Sequence, residues 1–200
     1  MSPTRRTLLG VLVLAMAAPA MAQTTPARYR ASVAALEGDT LSLVTRGGET
    51  LKAALTPGTA ITAVVPATLQ DIEPGSFIGT AALPGPNGTL VAIEVHVFPE
   101  NMRGVGEGHR PFDLQPESTM TNGTVGSVVG AEARTLKVSY QGGEKIVLVP
   151  EQTPIVAFVP GGRDLLTKDA HIILFASKAA DGGLTAQRVL VGKDGLVPPM

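Results

Sequence analysis

The chain of 200 residues contains no cysteine and no tryptophan. Without cysteine, the protein has neither disulfides nor thiol chemistry. Aromatic side chains make up only 4% of the residues, too few for the ring platforms on which single-stranded nucleic acids stack. The 17 acidic and 16 basic side chains nearly cancel, which leaves no field to attract a polyanion. We therefore expect no nucleic-acid partner.

Long apolar runs are also scarce, and the clearest one is short. Arg5 and Arg6 precede an apolar segment at residues 8–18, and Ala20-Met21-Ala22 fits a small-residue cleavage site. A membrane-spanning helix needs about 20 apolar residues. The pattern therefore predicts a signal peptide at residues 1–22, no transmembrane segment after its cleavage, and a periplasmic location. The paired arginines also resemble a twin-arginine signal, so the Sec and twin-arginine routes both stay open.

Glycine and proline are frequent, at 23 and 16 residues, which is typical of turn-rich all-β chains. The chain also repeats itself. The matching segments are Ser32-Val33 with Ser127-Val128, Thr40-Leu41 with Thr135-Leu136, Ile61 with Ile155, Val65-Pro66 with Val159-Pro160, and Gly88 with Gly182. Matches in this order predict two copies of one unit. We place the copies at residues 23–98 and 122–192, with a linker at 99–121 and a tail at 193–200.

Within a copy, the hydrophobic pattern predicts short strands. Leu41 and Leu43 alternate with polar residues, as in a half-buried strand. Asn87-Gly88 is a strong hairpin dipeptide. Five or six short strands with one helical turn favour a small barrel of the OB type. The predicted fold is therefore all-β, with two tandem OB-like barrels packed through the central linker.

The first copy carries the run G-D-T-L-S-L, G-G-E-T-L, L-Q-D-I-E-P-G-S-F-I and N-G-T-L-V-A-I-E-V. This run resembles a bacterial envelope family of unknown function whose members are OB-like barrels, often in tandem. The resemblance implies a fold and no particular activity. The linker PENMRGVGEGHRPFD resembles a stretch of exported proteins that are labelled as metal-transport components. A chain with one short apolar segment cannot itself be a permease.

Comparison of the two copies identifies residues that the fold alone does not require. Glu94 and His96 of the last strand in copy one correspond to Arg188 and Leu190 in copy two. Residues two apart in a strand lie on the same face, about 6.6 Å apart along it. Glu94 and His96 therefore share a face and are candidates for a functional role.

The linker has two main interpretations, and a small ligand other than a metal is a third. In the first, imidazole and carboxylate groups bind a divalent transition metal such as Zn, Cu, Ni or Mn, and the ligands are His96, Glu107 and His109. In the second, the linker is a clamp that docks one barrel on the other, with glycines that let the backbone approach closely. The clamp residues are Arg103, Gly104, Gly106, Gly108, Arg110 and Asp113.

No nucleophile with an adjacent base can be named, and no G-x-S-x-G motif occurs. We therefore expect an exported, soluble and non-catalytic binding or envelope-assembly module, whose partner is an envelope protein or a small ligand. The alternative is a periplasmic divalent-metal-binding protein.

Overall fold

A computed structural model describes residues 26–129, 134–178 and 182–200. The predicted signal peptide lies outside these residues. The strands are β1 (Ala27–Glu37), β2 (Thr40–Thr45), β3 (Thr50–Ala54), β4 (Ala60–Pro66), β5 (Phe77–Pro84), β6 (Leu90–Val97), β7 (Gly108–Pro111), β8 (Thr119–Val129), β9 (Thr135–Tyr140), β10 (Gly143–Leu148), β11 (Ile155–Pro160), β12 (His171–Lys178) and β13 (Leu184–Gly192). Short 3-10 turns lie at Leu69–Asp71, Pro86–Gly88, Glu100–Met102, Arg163–Leu165 and Lys193–Gly195. The all-β prediction is confirmed. In these ranges no helix has the length and apolar character needed to cross a bilayer.

The strands form because apolar residues alternate with polar ones. In β2, Leu41 and Leu43 are fully buried, and the residues between them point outward. The equivalent leucine and valine of β9, Leu136 and Val138, are also fully buried. A period of two gives each strand one face for a core and one for another layer or solvent.

Five strands close into a ring that we call ring A. β1 pairs with β2 and β12, and β3 pairs with β2. β13 pairs with β12 and, through Leu184 and Ala53, with β3. A closed ring of five strands is a small barrel with no free edge. Its interior includes Leu41, Leu43, Leu174 and Val189.

Five further strands close a second set of pairings, ring B. β8 pairs with β9 and β5, and β9 pairs with β10. β6 pairs with β5 and, through Leu90 and Val147, with β10. The apolar residues inside ring B include Ile78, Val95, Leu136 and Val138.

Each ring takes strands from both halves of the sequence. Ring A combines β1, β2 and β3 of the first half with the β12–β13 hairpin of the second half. Ring B combines β8, β9 and β10 with the β5–β6 hairpin of the first half. The finer prediction of two tandem barrels, one per copy, is therefore not confirmed. The two hairpins carry the same alternating pattern, and such a pattern does not specify which of two equivalent edges a strand joins.

The repeat itself is visible in the strand registers, with one correction. Val33 pairs with Leu43, and Val125 pairs with Val138, each just before a bulge. The structural equivalent of Val33 is therefore Val125. The predicted match with Ser127-Val128 is wrong, because the first strand of copy two is shifted by three residues relative to its sequence match.

The rings are joined through β4 and β11, which pair with each other antiparallel. Val64 and Phe158, at equivalent positions of the two copies, face each other in this pair. They belong to an apolar cluster that lies outside both ring interiors and also contains Phe77, Phe98, Ile173 and Leu190. This interface cluster places the outer faces of β5–β6 and β12–β13 against each other, and the candidate site lies within it.

Candidate functional site

Glu94 and His96 of β6 form a buried pair. Their side chains are 0% and 5% exposed, and Glu94 Oε2 lies 3.0 Å from His96 Nδ1. The other carboxylate oxygen, Oε1, accepts a hydrogen bond of 2.7 Å from the backbone N–H of Ala81. The contact confirms that the two side chains share a face. A buried carboxylate needs such partners, because an unpaired charge in the interior is costly.

The pairing fixes the imidazole ring. The Glu94 carboxylate accepts from Nδ1–H of His96, which leaves Nε2 on the far side of the ring. The ring stacks on Phe158 at 5.0 Å between centroids and meets Phe98 edge-on at 4.9 Å. The imidazole is thus held by one carboxylate and two aromatic rings, with Nε2 directed away from Glu94.

A glycine makes room for this ring. Gly79 of β5 pairs with His96 on one side and with Asn122 of β8 on the other. A Cβ at Gly79 would collide with the His96 imidazole at Nε2 and would lie 2.7 Å from Asn122 Oδ1. The two side chains therefore lean over Gly79 from opposite sides.

The equivalent row in the other half has no such gap. There Ile173 lies between Arg30 and Leu190. Ile173 is 1% exposed and packs in the interface cluster. The opening above Gly79 is therefore a feature of one half only, although both halves have the same strand geometry.

Asn122 contributes an unsatisfied polar atom to this opening. The residue is 4% exposed, and its Nδ2 donates a 3.0 Å hydrogen bond to the carbonyl of Val105. This bond sets the amide orientation. Oδ1 is buried and has no hydrogen-bond partner among the described residues. A buried acceptor without a partner costs about 1–3 kcal/mol of stability. Such an atom therefore indicates a place where a bound molecule can donate a hydrogen bond.

These groups border a cavity of about 200 Å³ between ring A, ring B and the linker. We call it the dyad cavity, after the Glu94–His96 pair. Its polar lining consists of Arg28, His96, Arg110, Asn122 and Arg188, and its apolar lining includes Phe98, Phe112, Met120, Phe158, Phe175 and Leu190. Among the described residues no carboxylate side chain lines it. The lining is therefore cationic and aromatic.

The three arginines that line the cavity differ in whether a carboxylate pairs with their charge. The Arg28 guanidinium lies 4.2 Å from the centre of the Phe112 ring and pairs with Asp113. Burial lowers the pKa of Arg28, and Asp113 opposes this shift. Its Nε is buried and has no hydrogen-bond partner within residues 26–129, 134–178 and 182–200. Arg28 is thus a cation whose charge is matched at the rim of the cavity.

Arg110 and Arg188 carry uncompensated charge. Arg110 Nη1 donates to the carbonyl of Gly106 at 2.7 Å, and burial lowers the pKa of Arg110. Arg188 lies 5.9 Å from the centre of the Phe175 ring. Neither forms an ion pair within the described part of the chain. The dyad cavity therefore has an excess of positive charge.

The predicted metal ligands Glu107 and His109 each contact other groups of the protein. Glu107 Oε1 accepts from the backbone N–H of Gln141 at 3.0 Å. His109 Nδ1 lies 2.8 Å from Thr121 Oγ1, and its ring stacks on Tyr140. Burial is the main cause of the lowered pKa of His109, followed by the charges of Lys145 and Arg110.

His109 also points away from His96. It precedes Arg110 on β7, and consecutive strand residues point to opposite faces. Arg110 and His96 both line the dyad cavity, whereas His109 does not. Searched over residues 26–129, 134–178 and 182–200, the chain has no group of three His, Cys, Asp or Glu placed to hold a metal ion. The structure therefore does not bring the three predicted ligands together.

The clamp residues have contacts on both rings. Arg103 pairs with Glu100 and donates at 2.9 Å to the carbonyl of Gly75, next to β5 of ring B. Asp113 accepts from Arg28 and Arg30, both on β1 of ring A. The linker thus lies along ring B, where β7 pairs with β8, and it reaches ring A at Asp113.

The linker glycines are explained mainly by backbone conformation. Gly104, Gly106 and Gly108 have φ of +83°, +59° and +128°, in the region that favours glycine. A Cβ at Gly104 or Gly108 would meet nothing within 4 Å, so the expected close approach does not occur there. A Cβ at Gly106 would lie 3.2 Å from both Arg110 Nη2 and Asn122 Nδ2. Only Gly106 therefore brings polar groups of the site together.

Sequence reasoning missed Gly79, Asn122, Arg28 and Arg188 as site residues. A signal was present for Gly79, since Ile173 stands at the equivalent position. Asn122 gave no signal, because the shifted register of β8 hid its correspondence with Arg30 of β1.

Comparisons with known proteins give no relative from which a function could be carried over. No protein-family model matches the chain, and neither the curated proteins nor the solved structures include a significant match. The geometry of the site is therefore the basis for a function.

Proposed function

We propose that the protein is an exported, non-catalytic binding module that takes a small ligand in the dyad cavity. The observation that carries the proposal is the buried, unpartnered Oδ1 of Asn122 beside His96 Nε2, above the gap at Gly79. The cavity of about 200 Å³ is smaller than the 300–1,000 Å³ typical of sites for drug-sized molecules. The ligand is therefore small.

The proposal includes two finer points. Export to the periplasm is supported by the charged and apolar pattern at residues 1–22. The rings are OB-like barrels of the envelope family named above, in which two copies have exchanged their C-terminal hairpins. Five closed strands per ring and the equivalent registers of the two halves support this.

The experiment is a fragment screen by ¹H–¹⁵N NMR on the mature chain. We expect ligands to shift the amide signals of Gly79, Gly106 and Asn122. The control is a variant that copies Ile173 and Leu190 of the other half, Gly79→Ile with His96→Leu, and that also carries Glu94→Leu so that no buried carboxylate is left unpaired. It should stay folded and lose these shifts. Fragments that shift the same signals in the filled variant, or none that shift them in the native protein, would overturn the proposal.

A further inference from the structure

The lining of the dyad cavity describes its ligand in more detail than its volume does. Arg110 and Arg188 supply positive charge without a carboxylate partner in the part of the chain that the structure describes. A guanidinium is a planar fork that matches a carboxylate through two parallel hydrogen bonds. One part of the ligand is therefore an anionic, forked group.

The floor of the cavity has the opposite requirement. Asn122 Oδ1 is an acceptor to which no described residue donates. When the ring carries a single proton, on Nδ1 and directed at Glu94, His96 Nε2 is a second acceptor. Both atoms lie near the position that a Cβ of Gly79 would occupy. A ligand that fits the floor therefore presents a hydrogen-bond donor there, such as a hydroxyl or an ammonium group.

The group that binds the anion and the group that accepts the hydrogen bond lie next to each other. An ideal Cβ at Gly106 would lie 3.2 Å from Arg110 Nη2 and equally far from Asn122 Nδ2. The anion-binding guanidinium and the amide that needs a donor are therefore neighbours. A ligand that reaches both groups therefore carries its donor close to its carboxylate, as a 2-hydroxy or 2-amino acid does.

The rest of the lining is apolar and aromatic. Phe98 and Phe158 contact each other edge-on at 5.2 Å between centroids, and both pack on His96. Phe112 and Phe175 line the cavity on the side of Arg28 and Arg188. Aromatic rings prefer offset or edge-on neighbours of the same kind. The body of the ligand is therefore a flat ring.

We propose that the dyad cavity binds a small aromatic carboxylate with a hydroxyl or ammonium group on carbon 2. The carboxylate lies against Arg110 and Arg188, and the group on carbon 2 donates to Asn122 Oδ1 and His96 Nε2. The inference depends on the proposed function, because it names the ligand class of the same site.

The experiment is isothermal titration of the mature chain with four matched probes and inorganic phosphate. The probes are 3-phenyllactate, phenylalanine, 3-phenylpropionate, which lacks the donor, and 3-phenyllactamide, which lacks the charge. We expect 3-phenyllactate or phenylalanine to bind at least about tenfold more tightly than the last two, since a buried acceptor or guanidinium is left unmatched in each case. The first two probes distinguish a hydroxyl from an ammonium group.

Two variants test the assigned roles. Arg110→Gln should weaken binding of the acid about tenfold and leave the amide unchanged. Arg163→Gln is the matched control, because Arg163 pairs with Asp39 and does not line the cavity. Asn122→Leu should abolish the preference for 3-phenyllactate over 3-phenylpropionate.

The outcomes separate this inference from the function proposed above. Equal binding of acid and amide, equal binding of 3-phenyllactate and 3-phenylpropionate, or phosphate that competes as well as either acid would overturn the ligand class. No binding of any probe would also overturn it. In each of these cases the proposed function still stands if other fragments shift the signals of Gly79 and Asn122, and falls if none does.

Discussion

Glu94 Oε2 and His96 Nδ1 lie 3.0 Å apart inside the interface between the rings, with both side chains almost completely buried. Removing one partner of a buried pair leaves an unmatched charge and costs about 3–5 kcal/mol, whereas replacing both by apolar residues is often neutral. We therefore expect His96→Leu to lower the free energy of unfolding by about 3–5 kcal/mol. Glu94→Leu with His96→Leu should cost clearly less. Urea unfolding of the native protein, both single variants and the double variant measures this coupling, and strictly additive effects would contradict it.

Gly79 is predicted to be essential for the placement of His96. Its missing side chain leaves the space that the imidazole occupies. Gly79→Ala should destabilise the fold by about 1–3 kcal/mol through overpacking. The same change should cost less when Glu94 and His96 are both leucine, since Leu190 and Ile173 coexist in the other half.

A second glycine of the sheet serves as the control for this prediction. At Gly126 of β8 a Cβ would meet its nearest atoms at 3.7 Å, an ordinary contact. Gly126→Ala should therefore leave the thermal midpoint nearly unchanged. Equal decreases of the thermal midpoint for Gly79→Ala and Gly126→Ala would contradict the prediction, because the collision with His96 would then not destabilise the fold.

Asp113 is predicted to make the contact between linker and ring A sensitive to pH. The hydrogen bond from Arg30 is the main cause of its lowered pKa, and the charges of Arg28 and Arg30 add to it. A carboxylate with a lowered folded pKa stabilises the fold above its unfolded pKa of about 3.9. The contribution is lost as the pH falls through the folded pKa.

The measurement compares the native protein with Asp113→Asn between pH 7 and pH 2. Because Asp113 is largely exposed, we expect a difference of about 1 kcal/mol at pH 7, decreasing below about pH 4 and vanishing at the acid end. Asp39→Asn is the control, since the Asp39–Arg163 pair lies away from the linker. A difference that stays constant over this range would contradict the role of Asp113.

The exchange of hairpins predicts that neither half folds alone. Ring A lacks β12 and β13 when only residues 23–98 are present, and ring B lacks β5 and β6 in residues 99–200. We expect each fragment to fail to form a folded monomer, because the three strands that it contributes to its own ring leave open edges and an uncovered core without the hairpin of the other half. An equimolar mixture should recover the β-sheet circular dichroism of the intact chain as a 1:1 complex. A folded monomer of residues 23–98, seen by light scattering and circular dichroism, would contradict the exchange.

Part of the site could be predicted from the sequence. The sequence distinguishes Glu94 and His96 because the other half has Arg188 and Leu190 in their places, and their common face follows from the period of two. The metal prediction had no comparable basis, since it joined His109 to His96 by closeness in sequence. On β7, His109 points toward Thr121 and Tyr140 instead. Asn122 could not be predicted, because its neighbours His96 and Gly106 come from other segments.

By itself, the sequence determined the strand pattern, the duplication and the composition of each buried face, because these depend on the alternation of residues that are neighbours in the chain. Only the tertiary structure decided which hairpin closes which ring, and therefore which residues surround the dyad cavity. The physical reason is that β5–β6 and β12–β13 have equivalent alternating patterns, so the pattern alone does not choose between them. The choice depends on contacts between distant segments, such as the pairing of Ala53 with Leu184, which no local pattern specifies.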